Sequence, residues 1–213
     1  MDQSILFRAQ GARIALLRGN RSGRVTVFFA GRSAAGTDVA DTYGGAFARE
    51  HGLNAILVQP AKARWYQPPL AGPLTAALRR ALRGFDHLTF AGSGMGAYGA
   101  LSMAERIEAD HVLAVRPVAT LDAARAPVTR AHARDLERLG ADLEPVLTHR
   151  AGRYTVVPDG SRLGAAHVAR FYLPGDRTVH EGPRALQQDG PLGLDPGRLL
   201  SLLGETRDTA LSA

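Results

Sequence analysis

The chain has 213 residues, a formal net charge of +6, no cysteine and 45% apolar residues. Zero cysteine excludes disulfides and thiol catalysis, and no stretch reaches the roughly 18 consecutive apolar residues of a membrane span. The basic residues are almost all arginine, Lys62 being the one lysine among 26 Lys+Arg; they form no basic run, zinc-ligand spacing or aromatic-interleaved stretch, so nucleic acid is not an expected partner.

Short apolar runs alternate with helical patterns along the chain, which predicts an α/β fold with a mostly parallel twisted sheet and helices on both faces. The opening reads as an antiparallel hairpin, with strands over 5–9 and 13–18 around Gly11. A strand over 24–30 (RVTVFFA) is apolar on both faces and should lie inside the sheet. A glycine-bearing loop over 31–36 leads to a helix over 38–50. Strands over 54–59, 88–91 and 110–115 follow, separated by a helix over 70–83 and a second one that ends near 108. The stretch 123–140 is arginine-rich and partly helical, with its charges expected to be exposed. A strand over 153–157, a helix over 163–172, a short strand over 177–179 and a helix over 196–203 complete the chain. One domain over 1–213 is expected, with a small cap or connecting segment around 118–150. The first residues are acidic and contain no signal-peptide h-region, so the expected location is cytoplasmic.

The chemistry-bearing stretch is Ala91-Gly-Ser-Gly-Met-Gly-Ala-Tyr-Gly-Ala-Leu101, where an apolar strand turns at once into a helix. This has the form of a nucleophile elbow, Gly-x-Ser-x-Gly, in which the serine occupies a strained strand-to-helix turn facing a helix N-terminus. Aligning the flanking glycines on Gly92 and Gly96 puts Gly94 at the serine position. A dinucleotide cradle is the competing reading of these glycines. It fits poorly, because the stretch follows several strands and Ala97 takes the third glycine place.

The elbow, the strand order and a late histidine resemble the α/β-hydrolase superfamily. More narrowly, the chain resembles esterase-like proteins of bacterial surface-polysaccharide and accessory-secretion loci, whose elbow reads G-x-S-M-G-G-Y-G-A-L. The resemblance implies a nucleophile, acid and histidine in that chain order, each beyond a strand end. Here these are Gly94 at the nucleophile position, Asp159 after RYTVV and His180 after Arg177-Thr-Val179. It also implies an oxyanion site from the backbone of Gly31, Arg32 and Met95, and a Trp-Tyr pair that Trp65-Tyr66 matches. A D-x-x-H-A element of such proteins reads Gly164-Ala-Ala-His167-Val here. Gly164 therefore stands at an acidic position, and His167 is read as structural.

The expected function is that of a serine-esterase-like protein impaired by the missing hydroxyl, retaining a site for a small acyl or saccharide ligand and able to engage protein partners. The alternative is an active serine hydrolase or acyltransferase, either through Ser93 or in a parent whose serine was changed to Gly94 by engineering. Ala97 and Gly164 favour natural loss, since an engineered change would alter one site. No cofactor and no metal are expected.

Overall fold

The computed structural model describes residues 3–9, 11–19, 23–35, 43–146, 152–171, 176–179 and 191–204. Eight strands form one sheet: β1 (Gln3–Ala9), β2 (Ala12–Leu17), β3 (Arg24–Phe29), β4 (Ala55–Pro60), β5 (His87–Ser93), β6 (His111–Val115), β7 (Arg153–Val157) and β8 (Asp176–Val179). Their order across the sheet is β1-β2-β4-β3-β5-β6-β7-β8. β2 runs antiparallel to β1 and to β4, and the remaining pairs are parallel. The hairpin and the parallel sheet expected from the sequence are both present.

Alternate residues of the central strands divide between two apolar cores, as the two-residue side-chain period of a strand requires. Val25, Val27, Phe29, Ile56, Val58, Phe90, Val112 and Ala114 face one core, beside α2 (Ala71–Ala81) and α3 (Met95–Ala104). Phe28, Ala55, Leu57, Ala91, Leu113 and Val115 face the other, beside α1 (Tyr43–Glu50) and α6 (Pro196–Leu203). The helix expected over 38–50 is observed from Tyr43, and 36–42 lie outside the described residues. Two further helices are α4 (Arg130–Leu139) and α5 (Arg162–Val168). In α4 the expectation of exposed charge fails at one place: Asp135 is 1% exposed. It is held there by Trp65, whose Nε1 donates to it at 2.9 Å.

The topology places a crevice before any side chain is considered. The connection after β3 leads to β4 on one side of it, whereas the connection after β5 leads to β6 on the other. β3 and β5 are neighbours, so their outgoing chains diverge, and open α/β sheets place ligands at such a switch point beyond the carboxyl ends of the strands.

Candidate functional site

Gly94 is the N-cap of α3, with φ 56° and ψ −115°. This backbone conformation is costly for any residue with a side chain. The three glycines of the elbow serve different ends. A Cβ on Gly92 would overlap the Gly96 backbone, and one on Gly96 would overlap the Phe29 carbonyl, so both are required for close approach of main chains. A Cβ on Gly94 would meet nothing within 4 Å. The elbow is thus packed as tightly as its motif demands, and its apex points a missing side chain into open space.

That space belongs to a cavity of about 1170 Å³. Gly31, Arg32, Trp65, Ser93, Gly94, Met95 and Asp159 all line it. Gly31 caps a short 3-10 turn, Arg32–Ala34, directly after β3. Met95 opens α3, which has no side-chain cap; the first N–H groups of a helix lack intrahelical acceptors and carry the positive end of its dipole. Tyr66 does not line the cavity. It is 1% exposed, its hydroxyl donates to the Ala30 carbonyl at 2.8 Å, and its ring occupies the space a Cβ on Gly99 would need. It therefore buttresses the Gly31 loop from behind.

Ser93 is the last residue of β5, and its side chain is already engaged. Nη2 of Arg116 donates to Ser93 Oγ at 2.6 Å. Arg116 follows β6 in a left-handed conformation, φ 49°. The same Nη2 reaches the Leu192 carbonyl at 3.5 Å. Nε of Arg116 is buried with no hydrogen-bond partner among the described residues. Burial lowers the Arg116 pKa and the Asp159 charge partly opposes this. Arg116 is not among the residues selected from the sequence; its signal is an arginine set between the buried strand HVLAV and Pro117.

Asp159 lies two residues beyond β7. Its Oδ1 accepts from the Ser161 N–H at 2.8 Å, from Ser161 Oγ at 2.5 Å and from the Gly164 N–H at 3.2 Å. A Cβ on Gly164 would overlap that Oδ1. Gly164 is thus the space in which the Asp159 carboxylate sits, and a side chain there would displace it. His180 lies outside the described residues.

The cavity wall also carries His132, which sequence reasoning did not select. Trp65, with φ 55°, meets His132 edge to face at a centroid distance of 5.6 Å. His132 lies 6.5 Å from the ring of His167. His167 is fully buried; its Nδ1 accepts from the Ala119 N–H at 3.3 Å, and its Nε2 has no hydrogen-bond partner among the described residues. Burial, above all, lowers the pKa of both histidines. Asp135 behind this wall also binds Arg138 and lies 4.0 Å from Arg32 Nε. Four non-glycine residues among those described have φ above zero: Trp65, Tyr66, Arg116 and Leu192. Three of them line the cavity, and strained backbone of this kind gathers where a site over-determines it.

Charge in the cavity is one-sided. Arg32, Lys62, Arg64, Arg116 and Arg138 line it, with Asp159 the one acid among its described lining residues. No group of three or more His, Asp or Glu among the described residues could hold a metal ion, and no helix among them is long and apolar enough to cross a membrane.

No protein-family model matches the chain, and no curated protein matches it in sequence. Solved structures do. Carboxyl esterase 2 from the fungus Tuber melanosporum superposes with a TM-score of 0.60 at 15% identity, covering 84% of this chain and 75% of that one. The Glycosylation Associate Protein (Gap123) complex from Streptococcus agalactiae gives 0.59 at 13%, covering 94% of this chain but 44% of that one. The capsule O-acetyltransferase of Neisseria meningitidis serogroup A gives 0.54 at 10%, covering 93% of each. At these identities the likeness is one of architecture, and it agrees with the sheet order and the elbow: the chain has the α/β-hydrolase fold.

Proposed function

We propose that this protein binds at the elbow of a serine-esterase-like site rather than turning a substrate over there, as a binding or accessory protein in a surface-polysaccharide or secretion pathway. The observation that carries this reading is Gly94, the one elbow glycine whose missing side chain leaves open space in the cavity. An acyl-enzyme needs a hydroxyl at that apex, and none stands there. The remaining donors are backbone groups of Gly31, Arg32 and Met95, which polarise a carbonyl or hold an oxyanion without becoming acylated. Triad knockouts that keep such donors retain only about 10³–10⁴-fold over water.

In this reading His180 and Asp159 occupy the base and acid positions of an inherited triad that has no nucleophile. The pathway assignment is supported by the elbow string and by the fold shared with a glycosylation-associated complex and a capsule O-acetyltransferase; the ligand is then a small acyl or saccharide group, and protein partners fit an accessory role.

The second reading, hydrolysis or acyl transfer through Ser93, has in its favour that Ser93 lines the cavity. Against it, the cation on Ser93 Oγ donates a hydrogen bond and takes no proton. Steady-state assays with p-nitrophenyl acetate and butyrate separate the two. The proposal expects no turnover above a heat-treated control, and enzyme-like turnover abolished by Ser93→Ala overturns it.

A further inference from the structure

We infer that the ligand of this cavity is anionic, carrying a carboxylate or phosphoryl group that docks in the gap over Gly94 between the N-terminus of α3 and the Arg116 guanidinium. The inference rests on the proposed binding role and names the ligand's chemistry.

Three independent features of the site converge on an anion. The first is the gap itself: the Gly94 apex offers open space where a side chain would stand, beside helix N–H groups that no side chain caps. The second is Arg116. Its backbone sits at φ 49°, its guanidinium is drawn inward onto Ser93 Oγ, and its Nε has no partner among the described residues. An N–H donor left open on a partly buried guanidinium is available to an acceptor that enters the cavity. The third is the imbalance of the wall, where five basic side chains face one acid among the described lining residues. Asp135 behind it offsets Arg32 and Arg138, which leaves Lys62, Arg64 and Arg116 against Asp159. Low-dielectric walls of one sign concentrate ligands of the other.

The cavity, at about 1170 Å³, is large for a bare anion, since ligand pockets run to roughly 300–1,000 Å³ for whole small molecules. Its lining also includes the partly exposed apolar side chains of Ala34, Ala63 and Leu163. An anionic group on a sugar-sized or acyl body fits this combination, whereas free phosphate would leave most of the space and all of the apolar wall unused.

Trp65 is the one tryptophan of the chain and lies in the cavity lining at 1% exposure, so a bound ligand alters its emission through the groups packed on it. The test titrates the full chain with glucose, glucuronate, glucose 6-phosphate and inorganic phosphate, following Trp65 emission and confirming by calorimetry. Glucuronate or glucose 6-phosphate is expected to bind at least about tenfold tighter than glucose, with affinity falling as salt rises. Which of the two prevails tells carboxylate from phosphoryl. Arg116→Gln should cost about tenfold or more and Arg116→Lys less, while Arg80→Gln, an equal charge change on the exposed face of α2, should leave binding unchanged.

Should Arg116→Gln fail to fold, Arg64→Gln, at an exposed lining position outside the Asp135 cluster, carries the same test with a smaller expected loss, about threefold. Glucose binding as well as its anionic counterparts overturns the inference. So does the absence of binding by every probe, or an Arg116→Gln chain that folds and binds undiminished. Turnover of p-nitrophenyl esters would instead overturn the binding role while leaving the charge preference readable.

Discussion

The two ends of the sheet differ in their backbone and in the space they leave open. At the amino ends of the strands, two buried side chains tie neighbouring segments together, although His51 Nε2 and Arg106 Nε are buried there without a partner among the described residues. Asn54 accepts from the Gly19 N–H at 2.9 Å and donates to the Arg24 carbonyl at 3.0 Å. His111, 1% exposed, bonds Thr155 Oγ1 through Nε2 at 2.8 Å and receives Arg153 Nη2 on Nδ1 at 3.3 Å. At the carboxyl ends the chain enters positive-φ backbone at Gly94 and Arg116, a guanidinium nitrogen is buried without a partner among the described residues, and a cavity opens. What separates the second end is the cavity and the non-glycine residues of positive φ around it, Trp65, Arg116 and Leu192, as at binding and catalytic sites.

The same contrast exists between single glycines, and substitution can break it. Gly96→Ala is expected to have the largest effect, because a Cβ there overlaps the Phe29 main chain, which has nowhere to move. A loss of about 4 kcal/mol or more, or failure to fold, should appear in urea denaturation.

Acid comes next. His111 has its pKa lowered from 6.5 to about 4, by burial first and then by the charge of Arg153. A group whose folded pKa is depressed contributes its stability fully above pH 6.5 and loses it as pH falls toward and through about 4. Over that window His111 accounts for about 3 kcal/mol. His132 and His167 shift in the same direction. Urea midpoints between pH 7 and pH 4 should therefore fall steeply, and less so in His111→Gln.

Gly164→Ala should cost about 2 kcal/mol, since the new Cβ takes the space of the Asp159 carboxylate. Gly94→Ala should cost least, about 1 kcal/mol, from backbone strain alone. If Gly94→Ala proved as damaging as Gly96→Ala, the apex would be packed and the distinction between the two glycines would vanish.

Much of the architecture was legible because the strands are short apolar runs bounded by turns, and alternation between two cores leaves them apolar on both faces. The elbow was legible because close approach of two main chains demands glycine at 92 and 96. Arg116 was not, because its role depends on φ and on the space above Ser93, which no periodicity encodes. Nor was the meaning of Gly164: as a string it departs from the D-x-x-H-A pattern, whereas in space it is the room that Asp159 occupies. Asp135 looked like one more surface charge on an arginine-rich helix, until the Trp65 indole reached it from a loop 70 residues away in sequence.

The central claim is that position 94 is the vacant nucleophile position of a formed elbow. Intact-mass spectrometry after incubation with a fluorophosphonate tests it most directly, on the natural chain, Gly94→Ser and Ser93→Ala. The account predicts that the natural chain and Ser93→Ala gain no adduct, whereas Gly94→Ser gains one, located on the introduced hydroxyl. Stoichiometric labelling of the natural chain, lost in Ser93→Ala, would contradict it.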